Sequence, residues 1–294
     1  VAPALTLGVA RTYDLALVNP DALPYASLIL LVELAVGTLG VVTFFDARRM
    51  VTMGYVQMGA LVAGPMALLA VLLARTLEPG DEVSGYLLDN QWYAPLQAVL
   101  YAFLGVAVAH GIAAFAVAKR PAIILGTVGT AVGVVAIALL AALIAPPAWS
   151  YPGVLLSLIG GAFALGGSMM AMSWGHWYLT NSGLPKEPLE QMSLLVAGAL
   201  ALQVVLLVVG LVAPVRAVPL GDAALGVTLA ANPALWLRVG VGLVAPLALS
   251  LLAYRAASIR GMMSATGLLY IAVGGVLAGE VLARGLLFAT GIAV

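Results

Sequence analysis

Residues 267–285 read Gly-Leu-Leu-Tyr-Ile-Ala-Val-Gly-Gly-Val-Leu-Ala-Gly-Glu-Val-Leu-Ala-Arg-Gly. Crossing about 30 Å of hydrocarbon takes about 20 consecutive apolar residues, so this run is the body of a transmembrane helix, placed at 262–290. Only Glu280 and Arg284 interrupt it. Four residues is about one helical turn, so the carboxylate and the guanidinium share one side of that helix. Ionisable groups cost roughly 2.5 to 3.5 kcal/mol each at the centre of a span, and they face a polar interior or a functional site.

Seven further apolar stretches of spanning length lie upstream, roughly at 27–45, 52–74, 93–118, 122–145, 153–178, 190–213 and 233–254. Pro and Gly punctuate the joints, as at Pro146-Pro147, Pro152, Pro214, Pro219 and Asn232-Pro233. A barrel would show short alternating segments instead, so all eight are expected to be helices. The expected fold is an all-α, polytopic integral membrane bundle of about eight transmembrane helices. It forms a single transmembrane domain over 1–294, with 1–26 as an outer N-terminal segment.

Composition agrees: 64% of residues are hydrophobic and 8% charged, against about 25% charged in a soluble domain. The mean hydropathy is +1.14, so the chain has too little polar surface to coat a water-soluble globule. The formal net charge of zero gives no basic patch for nucleic acid. With no Cys in the sequence, thiolate-held zinc or iron-sulfur sites are excluded within the chain. The chain opens on Val1, as expected where a start residue or short leader has been left out, and its first residues lack the pattern of a signal peptide.

Loop charges set the expected orientation. One set of loops carries Arg48 and Arg49, Lys119 and Arg120, Lys186, and Arg255 and Arg260. The other carries Arg75 among Glu78, Asp81, Glu82 and Asp89, then the uncharged stretch through Trp149 and Tyr151, then Arg216 near Asp222. The alternation is unbroken, so both termini are expected on the outer side of what is read as a bacterial cytoplasmic membrane. Trp92, Tyr93, Trp149, Tyr151 and Trp236 are expected at the outer interface, and Trp174, Trp177, Tyr178 and Tyr254 at the inner one.

With orientation fixed, depth follows from about 1.5 Å of rise per residue. Glu33 on the first helix, Arg238 on the seventh, and Glu280 and Arg284 on the eighth all fall in the outer half. Two readings are open. The four neutralise one another structurally, or they line an outward-facing polar cavity where a quinol headgroup meets a carboxylate that takes its proton. His110 and His176 both fall in the inner half, on the third and fifth helices, which is the minimum requirement for a bis-histidine haem b. Met169, Met170 and Met172 are a further axial-ligand source, more often simple packing. The polar segment 174–190 reads as an interfacial belt and turn, or as an inner docking surface. The pairs Gly160-Gly161, Gly166-Gly167 and Gly274-Gly275, and Gly240 with Gly242, permit close helix approach. No phosphate-binding loop, nucleophile elbow or His-Glu-x-x-His motif occurs, so neither a catalytic residue nor a metal site is expected.

The stretch 267–285 is similar to the last helix of NrfD-type and dimethyl-sulfoxide-reductase-type membrane anchor subunits, which carries Gly-Glu and then Arg. Residues 237–246, Leu-Arg-Val-Gly-Val-Gly-Leu-Val-Ala-Pro, resemble their penultimate helix. The chain departs from that family after the second helix, where Glu78-Pro79-Gly80-Asp81 stands in place of a His. The resemblance implies a quinone-interacting anchor of a multi-subunit respiratory oxidoreductase, passing electrons between the quinone pool and an iron-sulfur or haem partner. Glu280 and Arg284, and with them Arg238, carry that implication. The alternatives are a transporter or permease using the buried charges, a haem b carrier through His110 and His176, and a structural subunit of a bioenergetic complex.

Overall fold

The computed structural model describes residues 20–292 apart from 79, 84, 182, 214 and 217–231. The N-terminal segment to residue 19, Pro79, Pro214, Pro219 and Asp222 therefore lie outside the described residues. Among the described residues, eight helices are long and apolar enough to cross a membrane: α1 (Leu23–Ala47), α2 (Met53–Thr76), α3 (Tyr93–Phe115), α4 (Lys119–Ile144), α5 (Tyr151–Thr180), α6 (Glu187–Val212), α7 (Pro233–Ser258) and α8 (Met262–Thr290). The protein is an all-α polytopic membrane-spanning bundle. Large apolar side chains such as Ile112, Val212, Ile271 and Met263 stand outward, a loss in water but not in lipid.

Two closed rings of four helices make up the bundle. In the first, α1 packs on α2, α2 on α3, α3 on α4, and α4 back on α1; in the second, α5 packs on α6, α6 on α7, α7 on α8, and α8 on α5. The rings join chiefly through α1 against α5. Glycine permits that join. A Cβ on Gly37 would strike the Ala162 carbonyl, and one on Gly166 would strike the backbone of Gly37 and Thr38. Close backbone approach of this kind is how membrane helices gain packing where no hydrophobic drive exists between them.

The last carbonyls of a helix have no partner within it, and short connections here supply them. Strands β1 (Glu82–Val83) and β2 (Tyr86–Leu87) form a two-residue antiparallel hairpin that the apolar pattern does not predict. It turns through Gly85 at φ 85°, a conformation glycine adopts without a Cβ penalty. From this hairpin region the Tyr86 hydroxyl donates to Ile144 O at 2.5 Å and Asp89 N–H to Leu143 O at 2.9 Å, covering the end of α4. Likewise Tyr93 Oη and Gln97 Nε2 donate to Ala74 O at 2.5 and 2.8 Å at the end of α2.

Helix α7 departs from the regular helix expected there. Residues Arg238–Val244 are a π-helical segment between Pro233–Leu237 and Ala245–Ser258, and the Ala245 N–H reaches back five residues to Gly240 O. Pro246 has no N–H to return to the preceding turn, and that vacancy favours the wider winding. The aromatic belts also differ in part from expectation. Trp92, Tyr151 and Trp236 are exposed at one end, whereas Trp174 is fully buried and Tyr93 nearly so. Trp174 packs edge-on against Tyr55 at 5.2 Å, because the basic end of α5 is covered by neighbouring helices rather than by lipid.

Candidate functional site

Glu33, Arg238, Glu280 and Arg284 converge, and all four are fully buried. Arg284 lies one turn beyond Glu280 on α8, and its Nη2 donates to Glu280 Oε2 at 2.8 Å and to Glu33 Oε1 at 2.6 Å. Arg238 Nη2 lies 3.2 Å from Glu280 Oε1. Glu280 therefore sits between two guanidiniums, while Glu33 touches one. Two carboxylates and two guanidiniums sum to zero, the condition under which burial is tolerated.

Two uncharged residues complete the network. Gln203 of α6 donates through Nε2 to Glu280 Oε1 at 2.7 Å and accepts from Arg238 Nη2 at 2.9 Å. Ser157 of α5 accepts from Arg284 Nη1 at 3.3 Å. Both were missed in the sequence, although Gln203 is the one polar side chain in the apolar body 194–212. The π segment places Arg238, whose Nη1 donates to Gly242 O at 3.4 Å. That carbonyl stands four residues before Pro246 and so gets no helical donor from it.

Space for these side chains comes from glycine. A Cβ on Gly161 would lie 2.6 Å from Arg284 Nη2 and 2.7 Å from both Glu280 Oε2 and Glu33 Oε1. A Cβ on Gly279 would lie 2.7 Å from Arg238 Nη1. Gly240 and Gly274, by contrast, have nothing within 4 Å of such a Cβ, so these two of the small-residue steps do not serve close approach. Three polar atoms in the network remain without a partner: Glu33 Oε2, Arg238 Nε and Arg284 Nε.

Of the two readings, an outward-opening cavity is not what surrounds the four charges: they are fully buried, enclosed among α1, α5, α6, α7 and α8. A cavity of about 520 Å³ does open at the same end of the bundle. It is lined by Trp92, Tyr151, Asp89, Arg216 and apolar residues of α4, not by the four charges. A smaller one of about 300 Å³ lies at the basic end beside Tyr178 and Arg260.

The histidines are not brought together. His110 is buried on α3, where its Nδ1 lies 2.9 Å from Ala122 O of α4. His176 is exposed on α5, with Nδ1 2.9 Å from the Tyr270 hydroxyl of α8. Met170 is buried and its carbonyl accepts from Tyr55 Oη at 3.0 Å, a packing role. In the segment 174–190, Trp174 Nε1 donates to Pro185 O at 3.4 Å, and Lys186 bridges Ser258 O at 2.7 Å and Glu190 at 2.9 Å. The Lys186 contact with Ser258 holds the end of α7 to the start of α6, and the Trp174 contact holds the intervening loop to α5.

Compared with family models, curated proteins and solved structures, the chain has no significant match. What is established is the class: a polytopic integral membrane bundle of eight apolar helices with a neutral charge network buried inside it. That architecture fits a membrane anchor subunit without being specific to one.

Proposed function

We propose that this chain is the membrane anchor of a quinone-linked oxidoreductase in a bacterial cytoplasmic membrane, with the buried network as its proton-handling group. The observation that carries the reading is the unequal treatment of the two carboxylates. Both oxygens of Glu280 are occupied by Gln203, Arg238 and Arg284, whereas Glu33 keeps Oε2 without a hydrogen bond. Quinol oxidation releases protons, and a carboxylate oxygen free of hydrogen bonds is a group that can take one up. Glu33 is the acceptor, held by Arg284, which Glu280 holds in turn. Electrons pass to a partner subunit carrying an iron-sulfur cluster or haem, since a chain without Cys has no thiolates of its own for a cluster. The Gly-Glu and Arg pattern shared with NrfD-type anchors supports the same assignment.

A second reading is favoured by the complete enclosure of the network. Glu33 belongs to the first ring and its partners to the second, so the ion pairs also act as a clasp between the two rings. Glu33→Gln separates these readings in the native complex. The proton role predicts an assembled complex whose quinol oxidation falls at least tenfold. Unchanged turnover per assembled complex, accompanied by a lower unfolding temperature, would leave the clasp alone standing.

A further inference from the structure

A second group of buried polar atoms lies in the first ring, at the opposite end of the bundle from the charge network. Asp46 is one residue from the end of α1 and 1% exposed, His110 is 1% exposed, and Thr43, one turn before Ala47, is 6% exposed. Neither oxygen of Asp46 has a hydrogen-bond partner, nor has Thr43 Oγ1, nor has His110 Nε2. A buried polar atom left without a partner costs about 1 to 3 kcal/mol and calls for an explanation.

The His110 tautomer follows from its one contact. A carbonyl oxygen only accepts, so Nδ1 carries the hydrogen donated to Ala122 O at 2.9 Å, and Nε2 of the neutral ring is a bare acceptor. Gly126 of α4 is the reason Thr43 of α1 and His110 of α3 fit together against that helix. A Cβ there would meet Thr43 Oγ1 and would lie 3.1 Å from His110 Nδ1. Lys119, exposed at the first position of α4, and His110 are the charges that act on Asp46, and Asp46 is the charge that acts on His110. Arg48 is directed elsewhere, toward Gln191 at 3.0 Å and the ring of Phe44. The group thus offers a carboxylate and an imidazole nitrogen, both acceptors, and one hydroxyl that can donate.

We propose that Thr43, Asp46 and His110 form a proton-exchange site at the basic end of the bundle. His110 Nε2 takes a proton to become imidazolium, whose charge Asp46 balances, with Thr43 packed beside the ring. Release of the proton restores the bare pair. The proton enters and leaves at the end of α1, since Asp46 lies roughly 1.5 Å of helix rise from it. Nothing in this site depends on the quinone reading, and the charge network takes no part in it.

The chain has two histidines, so ring-15N-histidine NMR of the intact protein in lipid nanodiscs resolves them, with His176→Asn assigning the pair. The expected result is that lowering the pH protonates His110 Nε2 while Nδ1 stays protonated throughout. In Asp46→Asn the proton affinity of His110 should fall at least tenfold, because the anion that stabilises the imidazolium is gone. Lys119→Gln, at an exposed position, should shift the midpoint upward by removing a cation that competes with the imidazolium for Asp46. A ring that does not titrate, or a midpoint that neither variant moves, overturns the proposal. So does a spectrum that responds to sodium or potassium at fixed pH rather than to pH, which would make the group a cation site.

Discussion

Glu280 decides the charge network more than any other residue, since it receives Arg238 and Gln203 on one oxygen and Arg284 on the other. Replacing it with Gln leaves two guanidiniums against the single carboxylate of Glu33. Removing one partner from a buried ion pair costs about 3 to 5 kcal/mol, mostly through the charge left behind, so Glu280→Gln should lower the unfolding temperature markedly in detergent. Exchanging Glu280 and Arg284 together for Leu leaves Glu33 and Arg238, again neutral. The double variant should therefore lose less than the sum of the two single ones, a coupling that a thermal double-mutant cycle measures. Strictly additive losses would mean that the pair acts independently and that charge balance is not what holds it.

Helix sequences here fix where charges can go by fixing where side chains are absent. Gly161 of α5 faces Glu33, Glu280 and Arg284, while Gly274 of α8 faces open space. The same substitution should then act in opposite ways at the two positions. Gly161→Ala forces the charged side chains aside, and overpacking of this kind costs about 1 to 3 kcal/mol. Gly274→Ala should be neutral or stabilising by up to about 1 kcal/mol, since glycine is the poorer helix former. Equal effects in a thermal shift assay would sink the claim that Gly161 accommodates the network. Helix α7 shows the complementary device, in which Pro246 withholds a donor and the π segment before it presents Arg238 to Glu280. Widened turns of this type recur at functional sites, and the sequence contained the Pro without disclosing the winding.

At the level of the whole molecule, two four-helix rings share an interface built on Gly37 and Gly166, with the charge network toward one end and Thr43, Asp46 and His110 toward the other. Loop charge predicts which end faces the cytoplasm. Because the chain has no Cys, single cysteines report sidedness without background. Lys119→Cys and Arg260→Cys should resist a membrane-impermeant thiol reagent added to intact cells, whereas Glu78→Cys and Asp81→Cys should react. Labelling of the first pair would invert the orientation. The number of apolar spans and the placement of Glu33, Arg238, Glu280 and Arg284 toward one end of their helices were legible in the sequence, because lipid imposes a length and a polarity on every helix separately. Association of those four residues could only be anticipated from depth, and Gln203, Ser157, Thr43 and Asp46 were passed over. Asp46 looks in sequence like a helix-end charge beside Arg48 and Arg49, and only the cover of neighbouring helices makes it a buried acceptor. The separation of His110 from His176, the burial of Trp174 and the sealing of the charges likewise belong to tertiary structure. Hydropathy is a property of one helix against lipid, whereas these features depend on which faces of several helices meet and on the glycines that let them meet closely.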